Sequence, residues 1–62
     1  MTNRELEVMR LVARGNTSQE MAAALGIKPG TVNKLVERAR SKLGVRSRHQ
    51  AVDRLRERGV RL

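Results

Sequence analysis

Asn33, Lys34, Glu37 and Arg38 are the side chains best placed to do chemistry in this sequence. On a helix they fall on, or beside, one polar face. The mixture matches the edges of base pairs in duplex DNA. Asparagine can bond adenine bidentately, lysine or arginine can bond guanine, and glutamate can accept from cytosine N4. Two plainer readings stand beside this one. Glu37 can pair with Arg40 or Ser41 on its own helix, and Arg38 can hold phosphate alone.

A second set suits phosphate. Ser18 and Gln19 open one helical segment, where free N–H groups and the helix dipole favour an anion. Lys28 and Thr31 stand at the start of the next segment, and Arg46, Ser47 and Arg48 at the start of the last. Such residues would position the chain on DNA without reading its sequence.

Composition supports a polyanionic partner. The 62 residues contain 14 Lys and Arg against 6 Asp and Glu, a net charge of +8. Residues 38–62 hold nine of the basic residues and only two of the acidic ones, so the expected surface is polarised, with one strongly basic end. With no Phe, Tyr or Trp, the chain lacks the aromatic platforms on which most single-strand and RNA modules stack bases. With no cysteine and one histidine, His49, it has no ligand set for zinc. His49 is expected to face solvent. No nucleophile–base pair, carboxylate pair or phosphate-cradling glycine loop stands out, so no enzyme and no cofactor is expected. There is no secretory signal and no apolar run of membrane-spanning length. The expected location is the cytoplasm, away from any membrane.

The elements that must position these residues are helices. Thr2-Asn3-Arg4-Glu5, Thr17-Ser18-Gln19-Glu20 and Ser47-Arg48-His49-Gln50 each read as a capping box. Pro29 suits the first turn of a helix. Gly15, Gly26, Gly44 and Gly59 each follow an apolar-periodic segment, as a C-terminal cap would. The spacing predicts an all-α fold of four helices over 3–14, 18–25, 29–43 and 48–58, in one domain over 1–62. Val32, Val36, Ala39 and Leu43 form one apolar stripe on the third helix, leaving a broad polar face for a partner. Leu6, Val8, Met9, Val12 and Ala13 from the first helix are expected to meet them, with Met21, Ala22, Leu25, Ile27 and Leu55. Small residues at 22–24 would let another helix cross closely. The second and third helices, joined by a short turn containing Gly26, have the spacing of a helix-turn-helix.

These residues carry a family resemblance. The run Thr2-Asn3-Arg4-Glu5 through Gly15 resembles the opening of a LuxR/GerE-type (NarL/FixJ) DNA-binding domain. The likeness continues through Glu20-Met21-Ala22, Leu25-Gly26-Ile27, Pro29-Gly30-Thr31-Val32, Lys42 to Arg48 and Gln50-Ala51-Val52. It implies a four-helix bundle whose helix-turn-helix binds duplex DNA to regulate transcription in bacteria, commonly as a dimer through the last helix. Several positions depart from the family pattern. Asn33 stands where Lys or Arg is usual, Leu35 where His or Tyr is frequent, Glu37 where a second basic residue is frequent, and Lys28 where a capping Ser precedes Pro. These departures imply a different target sequence. Met1 stands where Leu is usual and fits a natural start; a free-standing regulator and a C-terminal domain of a longer chain are both compatible with it.

The fold should consume Ala51 and Leu55, leaving Val52, Arg56 and Val60 for a partner. A monomer, or a weak homodimer completed on DNA, is therefore expected. Two other readings compete. Thr31-Val32 followed by Glu37-Arg38-Ala39-Arg40 also resembles the promoter-reading region of extracytoplasmic-type sigma factors, although the segment from Gly44 to Ala51 argues against it. Alternatively, the chain acts through a protein partner, a larger regulator or RNA polymerase, docked on the fourth helix.

Overall fold

The computed structural model describes all of residues 1–62. Four helices follow one another: α1 (Asn3–Ala13), α2 (Ser18–Leu25), α3 (Pro29–Leu43) and α4 (Arg48–Glu57). The expected starts all hold; α1 and α4 each end one residue early, with Arg14 and Arg58 as caps.

The starts are set by side chains. Thr2, Thr17 and Ser47 each accept from the backbone N–H three residues on, and Glu5, Glu20 and Gln50 each accept from the cap residue's own N–H. Two of the first orphan donors are thereby satisfied at each helix. α3 differs. Lys28 offers no capping oxygen, and Pro29 opens the helix with its N–H already missing. Gly26 and Gly44 end α2 and α3 in the left-handed region, at φ 67° and 69°. A β-carbon is disfavoured there.

α3 is the central element and packs on α1, α2 and α4, while α4 also packs on α1. The core comprises Val8, Met9 and Val12 of α1, Met21 and Ala22 of α2, Val32, Leu35, Val36, Ala39 and Leu43 of α3, and Ala51, Val52 and Leu55 of α4. Leu6, Ala13, Leu25 and Ile27 are half-buried against it, as are Leu11, Val45, Val60 and Leu62.

Three expectations are corrected. Val52 is not left over for a partner; it is 5% exposed and part of the core. Leu35 is also buried, so the apolar face of α3 is an arc of about 100° rather than a thin stripe. Of the small residues in α2 only Ala22 is buried, and Ala23 and Ala24 face solvent.

Glu5 is the one buried charged residue, 2% exposed. Its Oε1 accepts from the Thr2 N–H at 2.9 Å and from Lys42 Nζ at 2.7 Å. The Lys42 bond, then the Thr2 N–H, hold the carboxyl at about 2 against an ordinary 4.5, with burial opposing them. This pair joins the start of α1 to the end of α3 across 37 residues of sequence.

No helix is long and apolar enough to cross a membrane.

Candidate nucleic-acid interface

With the apolar arc of α3 turned inward, Asn33, Lys34, Glu37 and Arg38 are all exposed. Gly30, Thr31 and Ser41 share that outer surface. Lys34, Glu37 and Arg38 make no side-chain hydrogen bond or ion pair; the ion pairs are Arg4–Glu7, Lys42–Glu5 and Arg54–Glu57. Glu37 is thus not held by Arg40 or Ser41. Arg40 Nη1 instead donates to the Arg46 carbonyl at 2.8 Å.

Asn33 is placed differently. The Ser18 hydroxyl donates to Asn33 Oδ1 at 2.8 Å. A residue expected to hold phosphate and one expected to read bases are therefore in direct contact, joining the start of α2 to α3. Gln19 is exposed beside Ser18. The backbone N–H groups of Ser18 and Gln19 lie in the first turn, where no intrahelical acceptor exists.

The start of α4 comes to the same region. Arg48 lines one groove with Asn33, Val36, Glu37 and Arg40, and a second with Asn16, Thr17, Ser18 and His49. His49 is exposed, as expected. Arg46 is exposed and Ser47 half-buried. Their backbone N–H groups both donate to Gln50 Oε1, and Ser47 Oγ accepts from the Gln50 N–H. Lys28 and Thr31 are exposed about the first turn of α3 without side-chain bonds.

Arg40, not among the expected DNA contacts, also belongs to this surface. The missed signal is its spacing: Asn33, Glu37 and Arg40 are at i, i+4 and i+7, one face of a helix.

The basic excess of residues 38–62 does not gather at one end. Arg40 and Arg48 flank Asn33, whereas Lys42 and Arg58 line a different groove with Met1, Leu6, Leu43, Leu55 and Val60. Of the expected partner residues, Arg56 is exposed and Val60 half-buried.

The molecule measures 28 × 19 × 18 Å. A major groove about 12 Å wide admits one helix and not the whole domain. The starts of α2 and α4 lie beside the exposed polar face of α3.

Comparison with known proteins gives a consistent result. The family model described as bacterial regulatory proteins, luxR family, matches residues 1–55. The transcriptional regulatory protein DesR of Bacillus subtilis is 42% identical over 59 residues, covering 95% of this chain and 30% of DesR. The spore germination protein GerE of Bacillus subtilis is 42% identical over 52 residues, 84% of this chain and 70% of GerE. The response regulator protein VraR of Staphylococcus aureus is 44% identical over 52 residues, 84% of this chain and 25% of VraR. The chain therefore spans less than a third of DesR and of VraR, and most of GerE.

Proposed function

Because the chain belongs to the luxR family of bacterial regulatory proteins, we propose that it binds duplex DNA sequence-specifically and regulates transcription, with α3 in the major groove. The exposed face of α3 carries this reading: Lys34, Glu37 and Arg38 are unpaired there, beside the starts of α2 and α4. Asn33, Lys34, Glu37 and Arg38 read base edges. Ser18, Gln19, Lys28, Thr31, Arg46, Ser47 and Arg48 hold phosphates, through side chains or through N–H groups at helix starts. The chain acts as a binder and not as an enzyme, and it works in the cytoplasm.

With Val52 in the core, a homodimer through α4 has only Arg56 and the half-buried Val60 from the expected set. It is weak and completed on DNA. A second reading has the chain act through a larger regulator or RNA polymerase. It is favoured by the open apolar groove of Met1, Leu6, Leu43, Leu55 and Val60.

Selection of binding sites from a random duplex library by the purified chain separates these readings. One enriched half-site marks a monomeric reader, and two inverted half-sites about one helical turn apart mark a dimer on DNA. Salt-sensitive binding without enrichment would overturn base reading and favour the protein partner. Lys34→Ala and Asn33→Ala should each change the enriched site; if neither does, α3 is not the reader.

A further inference from the structure

We infer that Arg40 is a further DNA-binding residue: together with Arg48 it clamps one backbone phosphate in the groove between α3 and α4. The inference rests on the DNA-binding reading above and deepens it.

Asn33, Val36, Glu37 and Arg40 of α3 line one groove with Arg48 of α4. The groove holds two guanidinium groups against one carboxylate, a net of +1. Neither arginine forms an ion pair, with Glu37 or with any other acid. Like charges gathered in one groove repel, and an anion set between them relieves that repulsion. Position selects the anion. Asn33, Lys34, Glu37 and Arg38 are exposed, whereas Arg40 and Arg48 are half-buried. The two arginines thus stand back from the base-reading face, one on α3 and one on the neighbouring helix. A DNA strand passing beside α3 brings its phosphates to such a place, and not its base edges.

Arg40 is tied to the turn that leads into α4, because its Nη1 donates to the Arg46 carbonyl at 2.8 Å. An arginine carries five N–H donors, so this bond leaves others free whichever way the group turns. Guanidinium forks match the spacing of phosphate oxygens. A phosphate between α3 and α4 can accept from both arginines at once.

The test measures affinity at a series of salt concentrations, for the selected duplex and for a duplex of scrambled sequence. The chains compared are the unaltered one, Arg40→Gln, Arg40→Lys, Arg48→Gln and the Arg40→Gln/Arg48→Gln pair. Arg40→Gln should weaken binding to both duplexes several-fold and by the same factor, since a phosphate carries no sequence. In the pair, the slope of log affinity against log salt should become shallower by about 0.9, the value for one phosphate. Arg40→Lys, which keeps the charge and loses the fork, should retain the unaltered slope and lose part of the affinity. Thermal unfolding of each variant separates a loss of fold from a loss of binding. If Arg40 only braces the turn at Arg46, Arg40→Gln lowers affinity with the slope unmoved, and the inference is overturned. A slope change in the pair of about twice 0.9 means two separate phosphates and overturns the shared clamp. A loss confined to the selected duplex makes Arg40 a base reader; it overturns the inference and leaves DNA binding intact. No salt-sensitive binding by the unaltered chain overturns the inference together with the reading on which it rests.

Discussion

α3 is tied to its neighbours by a polar contact near each end, and the two contacts differ in kind. Near its C-terminus, Lys42 meets Glu5 at 2.7 Å, with the carboxylate 2% exposed and also bonded to the Thr2 N–H. Near its N-terminus, Asn33 meets Ser18 at 2.8 Å on an exposed surface. The first contact is closed: its acid is buried, neutralised and turned away from solvent. The second is open: the amide retains donors that nothing in the protein uses. A closed polar contact fixes the helix in the fold, whereas an open one leaves valence for a partner. One helix thus carries an architectural end and, in the proposed DNA-binding role, a recognition end.

This contrast can be broken from either side. The largest effect is expected beside the closed contact. Leu43, 3% exposed, follows Lys42, and Leu43→Ala should cost about 2–5 kcal/mol. A domain of this size has little stability to lose, so urea unfolding should show a large fraction unfolded without denaturant.

Glu5→Gln comes next, with about 1.5–3 kcal/mol lost at neutral pH for bonds to a charged group. Its pH dependence has a definite sign. A carboxyl held at about 2 in the folded chain and ordinarily at 4.5 favours the fold above 4.5 and loses that contribution as the pH falls towards 2. The difference in melting temperature between the unaltered chain and Glu5→Gln should therefore be full at pH 7 and shrink between pH 4.5 and 2. A constant difference across that range would contradict the closed contact.

On the open side, Lys34→Ala should leave unfolding within about 0.5 kcal/mol. It should weaken binding to the selected duplex by about 1–3 kcal/mol and relax one base position. The smallest change is expected at the uncapped start of α3. Lys28→Ser supplies the missing oxygen and should stabilise the chain by about 0.5–1 kcal/mol. By removing a phosphate contact it should also make the salt slope of DNA binding shallower by about 0.9.

Much of this architecture is legible in the sequence, and the reason is local. Thr2 with Glu5, Thr17 with Glu20 and Ser47 with Gln50 signal within a single turn, so each start could be placed to the residue. Pro29 marks the fourth start in the same way. What could not be read depends on neighbours distant in sequence. Val52 and Leu35 widen the buried faces of α4 and α3 because each helix packs on more than one other helix, a demand invisible in a single stripe. The same holds for Lys42, which is exposed by helical position and becomes a core tether only through Glu5. Ser18 and Asn33 were both identifiable, but in separate roles. Their contact requires the turn from Gly26 to Lys28 to bring α3 across α2. The charge excess misled for a related reason: proximity in sequence is not proximity on the surface, and Lys42 and Arg58 line a groove without Asn33.

On the proposed reading, DNA meets the outer face of α3 together with the flanking starts of α2 and α4. Backbone and side-chain NMR shifts of the chain, followed as duplex DNA carrying the selected site is added, test it most directly. The largest shifts are expected on Asn33, Lys34, Glu37 and Arg38 and at the starts of α2 and α4, with Glu5 and Lys42 unmoved. Shifts concentrated instead on Arg10, Leu11 and Arg14 of α1, or on the groove of Met1 and Val60, would contradict it.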